Sequence, residues 1–304
     1  MLIEPQERIQ PPMTANHAAA GEGENLSSAV FEARFWLERT PWRVAGGWSL
    51  LAGLLAGGVG QQPLIWDWVL IALLFVLVDL LWGSIWGALT VPASLPRVTT
   101  LARRSRVWLP YLQPGSPASR LLGMDGPGLL PVIARIALPS MVLALLISSL
   151  FGSLVLGLTG AVLLISLAGW IHRQVAFIPL SALHSLVAVL LPWVVGLHYT
   201  GALNGDAAWL LALALLWTAH QWGAVRCLNS RRDPVGMGVL ATTQVAICLL
   251  LVWVQIPLWV GLLSLLFLPT WLLTYRQRSL ESVQFWWLAA MLFSGYAVSQ
   301  ILVL

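Results

Sequence analysis

Several stretches of this sequence run for about 20 residues without a charged side chain, the length at which an α-helix covers the ~30 Å hydrocarbon layer of a bilayer. The segments 236–255 and 257–275 are two of them. No other feature restricts the fold so far. In lipid every backbone N–H and C=O must be satisfied within the protein, which admits only helices and closed barrels. Barrel strands alternate apolar and polar residues, whereas here Leu, Ala and Val run on without that alternation. The predicted fold class is therefore all-α, a polytopic transmembrane helix bundle. Composition agrees: 59% of the 304 residues are hydrophobic and 9% charged, against about 25% charged in an average soluble domain. A water-soluble core of this size cannot hide that much apolar surface.

The apolar runs place spans near 43–60, 66–91, 129–150, 152–171, 175–198, 206–226, 236–255, 257–275 and 283–303. Phe151 and Gly152 form the only hinge between the third and the fourth. Arginine tests this count, because cytoplasmic loops attract it and short exported loops avoid it. Arg8, Arg34, Arg39 and Arg43 precede the first span; Arg97, Arg103, Arg104, Arg106 and Arg120 separate the second from the third. Arg173 follows the fourth, Arg226, Arg231 and Arg232 the sixth, and Arg276 and Arg278 the eighth, while the loops after spans one, three, five and seven have none. Arg135 lies near enough to the cytoplasmic end of the third span to snorkel. The alternation predicts nine spans, the N-terminus cytoplasmic and the C-terminus outside. All of the positive charge behind the net +4 is arginine, with no lysine, as a high-GC coding bias would give. The expected location is the inner (plasma) membrane of a bacterium.

Three regions follow. Residues 1–27 are polar, with Pro11, Pro12, Gly21 and Gly23 and no signal-peptide core, and read as a disordered cytoplasmic tail. Residues 28–42 set Val30, Phe31, Phe35, Trp36 and Leu37 against Glu32, Arg34, Glu38 and Arg39, the pattern of an interfacial amphipathic helix. Residues 43–304 form the transmembrane domain, with cytoplasmic cap loops at 93–128 and 227–235. Trp66, Trp68, Trp193, Trp209 and Trp259 are expected in an outer aromatic belt, and Trp170, Trp222, Trp271, Trp286 and Trp287 in an inner one. Cys227 and Cys248 indicate no disulfide framework.

Polar side chains inside the spans are costly, and function is their first explanation. Asp79 is the one carboxylate deep in a span; it reads either as a cation or proton site or as an acid hydrogen-bonded to a neighbouring helix. His184 and His220 fall at similar depths on sequence-adjacent antiparallel spans and read either as ligands to a metal, haem or chlorophyll or as interhelical hydrogen-bonding groups. The pairs Gly53/Gly57 and Gly83/Gly87 have the GxxxG spacing of close helix contacts. Arg103, Arg104, Arg106, Arg231 and Arg232 in the two cap loops suit an anion, or equally the lipid head groups that cytoplasmic arginines face. A phosphate loop, an HExxH helix and a G-x-S-x-G elbow are absent from the sequence.

The span count, the orientation and the long cytoplasmic loops after spans two and six resemble the UbiA-type intramembrane prenyltransferase superfamily. RCLNSRRDPVGMGVLAT (226–242) is similar to that family's second aspartate motif, with Arg232, Asp233 and Gly236 in the RD and Gly positions and Met237 where the family has Asp. VDLLWGSIW (78–86) can be laid on the first motif with Asp79 in its second position, so that Val78, Trp82 and Trp86 stand where the family has Asn and two Asp. The chain thus looks like a divergent member with degraded motifs. The resemblance implies a lipidic cavity open to the cytoplasm and a polyprenyl or similar ligand, with prenyl transfer from an isoprenoid diphosphate or a scaffold that has lost it. It further implies Mg²⁺ held by Asp79 and Asp233, which are also the catalytic candidates. Substrate contacts would come from Arg103, Arg104, Arg106, Asn229, Arg231, Arg232, His184 and His220. The expected partners are membrane lipid, the isoprenoid or other lipidic ligand and other membrane subunits, with no nucleic acid. Two alternatives stay open: an assembly or structural subunit of a larger membrane complex, and a proton-coupled transporter working through Asp79.

Overall fold

The computed structural model describes residues 46–59, 65–90, 137–172, 180–204, 208–229, 233–276 and 280–301. Every regular element among the described residues is helical. In order they are α1 (Gly46–Ala56), α2 (Ile65–Phe75), a π-helical segment (Val76–Trp82), α3 (Gly83–Thr90), α4 (Leu138–Leu150), α5 (Ser153–His172) and α6 (Leu180–Ser185). A second π-helical segment (Leu186–Leu190), α7 (Leu191–Tyr199), a 3₁₀ turn (Ala202–Asn204), α8 (Ala208–Asn229), α9 (Pro234–Trp253), α10 (Pro257–Tyr275) and α11 (Leu280–Ser299) complete the bundle. Six helical stretches among the described residues are long and apolar enough to cross a membrane: 67–90, 153–170, 180–199, 208–228, 234–253 and 257–275. Two shorter apolar helices, 46–56 and 138–150, cover the described parts of the first and third predicted spans. The predicted tail, the interfacial helix, loop 93–128 and Arg135 lie outside the described residues.

Local chemistry accounts for most of the breaks. Gly152 takes φ +95°, a left-handed conformation open to a residue without Cβ, and lets α4 turn back onto α5. Pro234 and Pro257 occupy the first turns of α9 and α10, where the missing N–H is harmless. Pro192 is different, because α6, the second π-helical segment and α7 form one unbroken span. A proline there cannot donate to the carbonyl of Ala188 and its ring crowds that oxygen, so the turn before it widens into the π-helical Leu186–Leu190.

The buried apolar side chains form two clusters. One gathers Leu213, Trp217, Ile247, Leu263, Phe267 and Trp287 from α8 to α11. The other gathers Leu77, Trp82, Ile85, Ala144, Val155 and Val162 from α2 to α5. Helix α1 gives Ala52 and Ala56 to the first and Leu50 and Leu54 to the second, and the α6–α7 span likewise contributes Val189, Trp193 and Leu197 to the first and Val187, Leu191 and Val195 to the second. These two elements are the wall between the halves, and glycine lets them touch backbone to backbone. A Cβ on Gly196 would stand 2.6 Å from the Leu54 nitrogen, and one on Gly53 would overlap the Trp193 carbonyl. The predicted Gly53/Gly57 contact is present, since Gly57 packs closely as well, on the Thr200 side chain. At Gly87 a Cβ would meet no atom within 4 Å, so the second GxxxG pair is not a close contact there.

The outer faces are apolar, as lipid requires: Leu249, Trp253, Leu258 and Leu265 on α9 and α10 are exposed, Leu258 at 90%. Two tryptophans expected in the aromatic belts are not there. Trp193 and Trp287 are buried in the first cluster, because the wall and the α8–α11 bundle use them as core volume.

Candidate functional site

Asp79 lies in the first π-helical segment and is 1% exposed. Its Oδ1 accepts the backbone N–H of Gly47 at 3.2 Å. Gly47 belongs to the first turn of α1, where an N–H has no acceptor within its own helix and the helix dipole is positive. Asp79 therefore caps α1 from a neighbouring element. The glycines at 46 and 47 permit the approach: a Cβ on Gly46 would sit 2.7 Å from Val78 Cγ1, and one on Gly47 3.0 Å from the Phe75 ring. Of the two sequence readings of Asp79, this geometry supplies the partner that the interhelical one asks for.

Asp233 caps α9. Its Oδ1 accepts the Val235 N–H at 3.0 Å, and its Oδ2 accepts Nε of Arg226 in an ion pair. The Arg226 guanidinium also lies over the Trp222 ring, 5.7 Å from its centroid. Partial burial works against charge on Asp233, but the Arg226 hydrogen bond, the backbone N–H groups of Gly236 and Val235 and the arginine charge outweigh it, holding the carboxyl below its ordinary value. Gly236, the glycine of the motif resemblance, sits where α9 crosses α8: a Cβ there would stand 2.9 Å from Cys227 Sγ and 3.2 Å from the Gly223 carbonyl.

A third constellation spans four helices and was only partly visible in the sequence. His220 of α8 is 1% exposed. Gln244 of α9 contacts it, amide nitrogen to His220 Nε2, at 3.1 Å, and Trp271 of α10 donates its indole N–H to the Gln244 oxygen. Three rings enclose the imidazole: Trp217 edge-on at 5.0 Å, Phe267 stacked at 5.9 Å and Trp287 of α11 edge-on at 6.0 Å. Trp217 is itself fixed by donating to Ser294 at 2.8 Å. Nε1 of Trp287 and, one turn before it on α11, Oε1 of Gln284 are buried with no protein partner, as are both amide atoms of Gln221, the residue after His220 on α8. Sequence reasoning found His220 but passed over Gln221, Gln244 and Gln284. The available signal was the same in kind, an amide inside a predicted span, where each polar group needs a partner.

His184, the other histidine candidate, sits on α6 with its ring 5.8 Å from Trp86. The two imidazoles thus have different aromatic surroundings, Trp86 belonging to one core cluster and Trp217 and Trp287 to the other. Arg103, Arg104, Arg106, Arg231 and Arg232 lie outside the described residues, and of Asn229 only its place at the end of α8 is described. Among the described residues no three His, Cys, Asp or Glu side chains are grouped so as to hold a metal ion. Compared with known proteins, the chain matches no family model, no curated protein and no solved structure.

Proposed function

We propose that this chain is an integral protein of a bacterial inner membrane, with nine spans and a cytoplasmic N-terminus, that holds a lipidic ligand inside its bundle and does not transfer a prenyl group. The observation behind ligand binding is the His220 centre, where a complete hydrogen-bond chain, His220–Gln244–Trp271, adjoins buried donors and acceptors with no protein partner. Each such unpaired group costs about 1–3 kcal/mol, and an amphiphilic ligand with a polar head would remove that cost. The surrounding Trp217, Phe267 and Trp287 suit its apolar body. Prenyl transfer finds less support, because Asp79 is engaged by α1 and Asp233 by Arg226 and α9. Orientation rests on the arginine alternation, and a reporter fused after Leu304 should read on the outer side.

The test is organic extraction of the detergent-purified full chain after exhaustive washing, with the released lipids identified by mass spectrometry. One lipid class retained at close to one molecule per chain is the expected result. Only bulk membrane lipids in bulk proportions would sink the binding reading, and Mg²⁺-dependent consumption of an isoprenoid diphosphate would sink the claim that no transfer occurs.

A further inference from the structure

The hydrogen-bonding atoms around His220 differ in kind, and their kinds select a head group. An indole nitrogen only donates. Trp271 therefore fixes the Gln244 oxygen as its acceptor, which turns the Gln244 NH₂ toward His220 and makes His220 Nε2 an acceptor. The neutral ring then carries its proton on Nδ1. On α11, Gln284 and Trp287 are three residues apart and so share a helix face. Trp287 brings an unpartnered donor against the imidazole and Gln284 an unpartnered acceptor one turn away. Together His220, Trp287 and Gln284 offer two N–H donors and one acceptor, all on side chains at most 2% exposed.

A hydroxyl has the complementary set, one O–H to give and two lone pairs to receive. A ketone or quinone carbonyl accepts only and would leave Gln284 unmatched. A diphosphate brings multiple negative charges into a low-dielectric site. The sequence contains no lysine, and among the described residues no arginine is buried. Arg226, about 9 Å further along α8, is committed to Asp233. Resting on the lipid-binding reading, we propose that the His220 centre recognises the neutral hydroxyl head group of a lipid.

Native mass spectrometry of the full chain in detergent tests this with three C20 isoprenoid probes: the free alcohol, its methyl ether and its diphosphate. The alcohol should bind one per chain, with the ether about tenfold weaker because it cannot donate to Gln284. The diphosphate should bind more weakly than the alcohol, with or without Mg²⁺. In Gln284→Leu the alcohol should fall to the level of the ether; if that variant does not fold, the alcohol–ether comparison on the unaltered chain decides alone. Equal binding of alcohol and ether, or tighter binding of the diphosphate, overturns the hydroxyl assignment and leaves the lipid-binding reading standing. Failure of all three probes, or an ordered water as the sole occupant between Trp287 and Gln284 in a structure determined with excess alcohol, overturns both.

Discussion

Replacing Asp79 separates a capping role from a titrating one. In Asp79→Leu, a residue of similar size, the Gly47 N–H loses its acceptor at 3.2 Å in a fully buried position. Leaving such a donor unpaired costs about 1–3 kcal/mol, and loss of an acidic group at a helix N-terminus adds up to roughly 1 kcal/mol. Interhelical hydrogen bonds in membrane proteins average less, about 0.6 kcal/mol, because the unfolded chain in the membrane also finds partners. An expected loss of about 2 kcal/mol allows for that, and corresponds to a roughly 30-fold change in the unfolding constant. Asp79→Asn keeps a carbonyl oxygen in the Oδ1 position and loses only the charge, so it should cost no more than about 1 kcal/mol. Equilibrium unfolding in dodecyl maltoside–SDS mixed micelles, followed by far-UV circular dichroism, measures both. A capping role predicts the order wild type, Asn, then Leu with a clear gap before Leu. Equal losses in Asn and Leu, or a Leu variant as stable as wild type, would refute it. A coupling carboxylate would instead make Asn and Leu alike in abolishing pH-dependent flux.

Glycine substitutions should divide by what their Cβ meets: Gly196→Ala, directed at the Leu54 and Leu50 backbone, should lose about 2–3 kcal/mol in the same assay, while Gly160→Ala, with nothing within 4 Å, should be neutral or gain up to about 1 kcal/mol from helix propensity. Equal effects at the two positions would contradict the packing of the α1–α7 wall. The folded-state pKa of Asp233 is lowered, so its contribution to stability is fully present above the usual carboxylate value of about 4 and disappears as pH falls through the lower folded value. The stability difference between wild type and Asp233→Ala should accordingly be constant from pH 7 to about 5 and shrink below; a difference independent of pH down to full acid unfolding would remove the charge from the cap. The ¹⁵N shifts of His220 should report a neutral ring protonated at Nδ1, and Gln244→Leu should destabilise the bundle by about 2–4 kcal/mol through two broken buried hydrogen bonds; an Nε2–H tautomer in the wild type would reverse the assigned orientation of Gln244.

What the sequence made legible was whatever short-range chemistry decides. Apolar runs of membrane length became helices, and the Phe151–Gly152 hinge became a turn because only a residue without Cβ takes φ +95° freely. Gly53 and Gly57 announced a close contact by spacing alone. The Asp233-Pro234 start of α9 carried an ordinary helix-start signature, an acidic cap followed by proline, even though the resemblance drew attention to it for another reason. Long-range pairing was not legible. Asp79 and Gly47 are 32 residues apart and meet only because α1 packs on the π-helical segment, and hydropathy has no term for which helix faces which. Trp193 and Trp287 looked like belt residues for the same reason: an aromatic near a span end is apolar toward lipid and toward protein alike, and only packing tells the two apart.

The same distinction gives the Asp233–Gly236 match a second explanation, in packing. A helix that starts beside the end of its predecessor and crosses it closely needs an acid to cap its first turn and a small residue at the crossing. Asp233, bonded to Val235 and Arg226, and Gly236, against Cys227 and Gly223, meet those two needs. Any membrane hairpin built this way can arrive at Arg-Asp-x-x-Gly without sharing a reaction. Nothing in capping or crossing asks for a buried imidazole held by an amide that is itself held by an indole, with a second indole nitrogen against it and a glutamine oxygen one turn away left unpartnered. A bundle needing only to pack would lose little or nothing with apolar side chains of similar volume at those positions. The His220 centre is thus a place, among the described residues, where stability alone does not explain the side chains.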